Sequence, residues 1–338
     1  MKCWICAAAA VIAAGPAPAE PLPPEQAACL ESQVRSGRGD MTLDELRARC
    51  GIQDAVRPRG APAIDEPAGN ADLPAVSRRV IEQRGMEGKP WSILPYRANF
   101  ILPYSYNSSF DRDFYGDLGY EKADSLRNYE AIFQISMMMP LWYGLHGDNG
   151  DLYFAFTSRA WWQVYDDASA PFRETNYEPE IFARFDSDFE FLGWRNVANS
   201  IGLVHQSNGR GEPLSRSWNR IYAAFTFEKG DFAFQLKPWY RLSEDAEDDD
   251  NPNIERYLGY ADYSFGWAPG RHRITGVLRN NLKSWDENKG SIELNYSYPI
   301  WGGLRLYLQY FNGYGDGLIY YNENTNRIGI GVAINDIL

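Results

Sequence analysis

The chain has 338 residues, with 45 aspartates and glutamates against 33 lysines and arginines, for a formal net charge of −12. That balance argues against nucleic acid as a partner, because a phosphate-binding face needs clustered positive charge. Aromatics make up 15% of the residues and include 22 tyrosines and 11 tryptophans, side chains that favour membrane–water interfaces because each joins an apolar body to a polar tip.

The first nineteen residues, MKCWICAAAAVIAAGPAPA, set Lys2 before an apolar run from Trp4 to Ala14 and a small-residue exit at Ala17-Pro18-Ala19. This is the layout of a secretory signal peptide spanning 1–19. The run is too short for a membrane-spanning helix, which needs about 20 residues. Cleavage removes one lysine, no acid and two of the four cysteines. Cys29 and Cys50 remain, and in an oxidising compartment such a pair is available for a disulfide, the alternative being two buried thiols.

Residues 20–90 are rich in Pro, Ala, Arg and Glu and nearly free of aromatics, and they read as a periplasmic extension. A helix is predicted at Met41–Cys50, where Thr42 and Glu45 form a capping box. The stretch Arg57–Asn70 has linker composition.

From about Ala98 the pattern changes to a period of two. In the last segment Ile328, Ile330, Val332 and Ile334 alternate with Gly329, Gly331, Ala333 and Asn335. Two alternating runs hinged on Glu228-Lys229-Gly230-Asp231 read as a tight hairpin. Counting such runs predicts twelve strands, starting near residues 98, 128, 150, 174, 195, 219, 232, 254, 272, 291, 304 and 326. Short connections such as EKGD alternate with long or charged ones such as SEDAEDDDNPN. A soluble β-sandwich shares the alternation, but signal peptide, aromatics, strand count and loop asymmetry together favour another architecture. The expected fold is all-β: a twelve-stranded antiparallel transmembrane β-barrel over 91–338, with a short, partly helical N-terminal extension and both termini periplasmic.

The segment VHQSNGRGEPLSRSWNR runs from Val204 to Arg220 and contains one of only three histidines. Residues i and i+2 of a strand share a face. His205 and Ser207 therefore lie on the apolar face of Ile201 and Leu203, and Asn219 lies on that of Ile221 and Phe225. In a barrel that face meets lipid, where polar groups are costly unless they bond one another or serve a function. A serine, a histidine and an asparagine supply an alcohol, a base to take its proton and an acceptor that fixes the base's tautomer. The bland alternative is three polar side chains bonded to interfacial water. His146 and His272 fall in predicted turns and receive no role.

HQSNGRGEPLSRSWNR resembles the signature of the outer-membrane phospholipase A family. So do PFRETNYEP from Pro171, KPWY from Lys237, SYPI from Ser297 and the closing segment from Arg327, and the likeness covers about 98–338. It implies a calcium-dependent enzyme that cleaves acyl esters of phospholipids and lysophospholipids and is active as a homodimer. Carried over by position, Ser207 is the expected nucleophile, His205 the base and Asn219 the orienting residue. Gly209 is expected to serve the oxyanion hole. Arg210, Ser215 and, across the dimer, Ser169 are expected to hold calcium. Ser158 stands where the family carries a glutamine in its dimer face, and the Cys29–Cys50 extension has no counterpart. The rival reading is a barrel without enzyme activity, a porin or adhesin.

Overall fold

The computed structural model describes Cys29, Cys50 and residues 73–87, 92–167, 170–301 and 303–335. Cys29 and Cys50 are joined by a disulfide, with Cα atoms 5.6 Å apart. The helix expected at Met41–Cys50 and the linker lie outside the described residues.

Twelve antiparallel strands form the barrel: β1 Asn99–Asn107, β2 Tyr129–Trp142, β3 Asp151–Trp162, β4 Phe172–Asp186, β5 Trp194–Ser207, β6 Ser217–Lys229, β7 Phe232–Leu242, β8 Ala261–Trp267, β9 Arg273–Asn280, β10 Gly290–Trp301, β11 Leu304–Gly313 and β12 Thr325–Asn335. Each pairs with its neighbours in sequence, and β12 closes the sheet against β1, with Ile328 opposite Tyr106 and Ala333 opposite Phe100. Closure leaves no unpaired edge, the condition for crossing hydrocarbon with strands. The connections after β1, β3, β5, β7, β9 and β11 gather at one end, and the hairpin turns with both barrel termini at the other.

The eighth strand, expected from near 254, begins only at Ala261, because Ile254–Leu258 forms a short helix. Ile254 and Leu258 stand four apart and are both buried, so this stretch has the period of a helix, not of a strand. Gly259, at φ +75°, turns the chain out of it.

The alternation decides which face each strand shows. Ile328, Ile330 and Ile334 of β12 are exposed while Arg327 and Ala333 are buried. Ile201 and Leu203 of β5 are exposed while Gly202 and Val204 point inward. Apolar side chains thus coat the outside, and ion pairs fill the lumen. Arg173 meets Glu130 at 2.6 Å, Arg327 meets Asp316 at 2.7 Å, and Arg97 meets Glu180 at 2.9 Å. Removing one member of such a pair leaves an uncompensated charge, at a cost of about 3–5 kcal/mol.

A helix α1, Ala75–Glu87, lies in the stretch read from sequence as extension, yet it is bonded to the barrel. Ser77 N donates to Glu228 Oε2 at 3.0 Å, and Gln83 Nε2 to the Pro95 carbonyl at 3.1 Å. Val76, Val80 and Gln83 line one wall of a lumenal cavity of about 390 Å³. The helix sits at the end of the short turns, opposite the loop that follows β5.

Candidate active site

Strands β5 and β6 place the three polar residues of the outer face. Their register sets His205 opposite Asn219 and Ser207 opposite Ser217. On the other flank of β5, Ser207 stands opposite Tyr177 of β4. His205 Nδ1 is 2.9 Å from Asn219 Oδ1. Because an amide oxygen only accepts, the imidazole carries its proton on Nδ1 and leaves Nε2 as the basic nitrogen. Ser207 lies two residues further along the same face, at the end of β5.

Asn208 points inward from the next position and is buried. Its Nδ2 donates to the Leu214 carbonyl at 2.7 Å, and its Oδ1 accepts from the backbone N–H groups of Arg210 and Arg216, both at 3.1 Å. One side chain thus fastens both arms of the loop 208–216. Gly209 has φ +65°, in the left-handed region, and a Cβ there would sit 3.2 Å from the Tyr177 ring. The Arg210 guanidinium donates to the carbonyls of Phe172 at 2.7 Å and Arg173 at 2.9 Å, tying the loop to the start of β4.

The acidic connection after β7 folds back over this loop. Ser215 Oγ donates to Asp250 Oδ2. A hydrogen bond to Asp250, and then its charge, hold the Glu212 carboxyl above the ordinary carboxylate range. Asn219 Nδ2 donates to Glu244 Oε1 at 2.8 Å. Burial pushes the Glu244 carboxyl up as well, while Asn219 and Arg241 act against it. Among the described residues no His, Cys, Asp and Glu side chains cluster in threes as a metal centre. The donors at hand are oxygens: a serine hydroxyl, two carboxylates and loop carbonyls, the kind a hard cation takes.

Of the positions named from sequence, His205, Ser207 and Asn219 come together on one outer face, and Gly209, Arg210 and Ser215 share the adjoining loop. Ser169 lies outside the described residues. His146 is in the turn after β2, and His272 Nδ1 contacts the Tyr296 hydroxyl at 2.9 Å at the far end. Asn208, Glu244 and Asp250 were not singled out. Asn208-Gly209 carries a turn signal that hid the anchoring role, and the two acids sit in a run that reads as solvated charge.

The phospholipase A1 family model matches residues 76–334. The phospholipase A1 of Klebsiella pneumoniae is 36% identical over 298 residues, 88% of this chain and 99% of that one. The phospholipase A1 of Escherichia coli K12 is 38% identical over 268 residues, 79% of this chain and 90% of its own. Among solved structures, the outer membrane phospholipase A of Escherichia coli is similar with a TM-score of 0.69 at 38% identity, covering 73% of this chain and all of that one. The Salmonella typhi outer membrane phospholipase, a dimer with bound calcium, has a TM-score of 0.70 at 37% identity, covering 75% and 96%.

Proposed function

The chain belongs to the phospholipase A1 family, and from that premise we propose that Ser207, His205 and Asn219 form its catalytic triad on the lipid-facing wall of an outer-membrane barrel. The substrates are the acyl esters of phospholipids and lysophospholipids. The observation that carries the reading is the 2.9 Å contact between His205 Nδ1 and Asn219 Oδ1 on an apolar outer face. Two polar groups paired there, with a serine two residues along, suit a lipid ester arriving from the side of the barrel.

Ser207 Oγ attacks the ester carbonyl carbon while His205 Nε2 takes the hydroxyl proton. His205 then returns that proton to the leaving alcohol, and a water activated by the same nitrogen releases the fatty acid from the serine ester. Asn219 holds the ring in the tautomer this requires. The Gly209 N–H is the proposed donor to the carbonyl oxygen as it gains charge.

The oxygens of loop 208–216 fit calcium. Beside them stand two carboxylates, Glu212 of this loop and Asp250 of the connection after β7, hydrogen-bonded to each other, with Arg216 nearby. The Arg210 carbonyl, the Ser215 hydroxyl and the carbonyl of Ser169 of the partner subunit are the proposed ligands, in a homodimer. When bound, the ion adds positive charge near the reacting carbonyl. The loop end of the barrel is proposed to face the outer leaflet, with α1 and both barrel termini on the periplasmic side.

The deciding experiment is fatty-acid release from phospholipid in detergent micelles, with wild type and Ser207→Ala, each with calcium and with a chelator. Calcium-dependent release that vanishes in the variant is expected. Release that survives Ser207→Ala moves the nucleophile elsewhere. No release from the folded dimer returns the chain to the porin or adhesin class.

A further inference from the structure

We infer that Glu244, in the acidic connection after β7, is a fourth member of the catalytic relay: a positioning residue that fixes the orientation of the Asn219 amide and sets a negative charge behind it. The inference rests on the triad reading above.

An asparagine is a poor third member on its own. Its amide can face a histidine with oxygen or with nitrogen, and only the oxygen selects the productive tautomer. Its neutral dipole also stabilises the imidazolium less than a carboxylate does. Glu244 Oε1 lies 2.8 Å from Asn219 Nδ2, and an ionised carboxylate only accepts. That contact commits the NH₂ group to Glu244 and turns Oδ1 toward His205 Nδ1, at 2.9 Å. The hydrogen bonds run in one direction, from His205 through Asn219 to Glu244, and each polarises the next. As the imidazole takes the Ser207 proton, the growing positive charge meets an amide whose far end is already bonded to an anion.

The placement of Glu244 does not depend on chance solvation. Asn219 is paired in register with Leu242, the last residue of β7, so Glu244 is two residues beyond the strand end and folds back over β6. Arg241, Asp249 and Asp250 are the charged groups that face it, and Arg241 is itself held by Asp249 at 2.6 Å. Among the described residues, the hydrogen bond that the Glu244 carboxylate accepts comes from Asn219 Nδ2.

The test is a double-mutant cycle on Glu244 and Asn219 in calcium-loaded wild-type background. Glu244→Gln is expected to lower kcat about three- to tenfold with KM nearly unchanged, the size expected for one partly exposed charge-assisted hydrogen bond. The acidic limb of the kcat/KM profile is expected to move to lower pH, because a carboxylate near an imidazolium stabilises it. Glu244→Asp is expected to recover part of the loss. In the Asn219→Ala background Glu244→Gln is expected to change nothing further. An equal fall of kcat in both backgrounds, or an unmoved pH limb with a fall that Asp cannot rescue, would overturn the role and leave Glu244 as a brace of its loop. If Asn219→Ala itself has no effect on kcat, it is the triad reading that fails.

Discussion

At the scale of single residues, Gly209 and Asn219 show how little room the site allows. Gly209 is left-handed and its missing Cβ faces the Tyr177 ring at 3.2 Å. Gly209→Ala adds about 1–2 kcal/mol of backbone strain, and the loop relieves it by shifting the next amides. We expect kcat to fall roughly tenfold or more while the folded barrel survives, checked by steady-state rates beside circular dichroism. Asn219→Asp looks conservative in the proposed triad, yet here it sets a second carboxylate against Glu244, 2.8 Å away in the native pair. Like charges so close oppose joint ionisation. The expected outcome is a large loss of kcat from Asn219→Asp alone and its partial recovery in Asn219→Asp with Glu244→Gln. The shared outer face of His205, Ser207 and Asn219 was legible because a polar group on a lipid-facing parity is conspicuous. Glu244 was not, since its partner lies 25 positions away across two strands and nothing in an acidic run marks one member.

At the scale of elements, the loop 208–216 is shaped from inside the barrel mouth. Asn208 makes three side-chain hydrogen bonds across its base. Each such bond contributes about 1 kcal/mol. Asn208→Ala should therefore loosen the loop without touching a proposed ligand. The expected readout is a rise of about tenfold in the calcium concentration for half-maximal release, with the barrel's thermal unfolding unchanged. At the opposite end, Glu228 accepts from both the backbone and the hydroxyl of Ser77 and pairs with Arg195. Glu228→Ala is expected to undock the start of α1, seen as faster amide hydrogen exchange over 75–87 with strand protection intact. The strands themselves were readable to within a few positions, because a period of two with glycine-rich turns is a local signal. The short helix Ile254–Leu258 broke the pattern where its two buried residues switched the spacing to four, a change lost inside an otherwise polar connection.

At the scale of the whole molecule, closure of β12 on β1 gathers six loops at one end and five turns with both barrel termini at the other. The proposed orientation then makes a direct prediction. An epitope inserted at Asp248 should be labelled on intact cells, whereas one appended after Leu338 should be labelled only after permeabilisation. The reverse pattern inverts the barrel. Dimerisation belongs to this scale too, since the proposed calcium set draws on two subunits. Sedimentation in detergent is expected to show calcium shifting monomer to dimer and a chelator reversing it; a dimer indifferent to calcium separates assembly from the ion.

What the sequence determined alone was what local rules encode: export, a strand period of two, the parity that turns His205 and Ser207 toward lipid, and the polar motif between β5 and β6. Twelve such strands with polar inner faces can satisfy their backbones in hydrocarbon only by closing, so the barrel followed as well. Tertiary structure alone decided what depends on register and on distant partners. It set His205 against Asn219, fastened the loop through the inward-facing Asn208, brought Glu244 behind the amide, and docked α1 under the lumen. The reason is physical: a hydrogen bond of this kind is fixed by the stagger of adjacent strands and by how a loop folds back, and neither quantity is written in the spacing of residues along the chain.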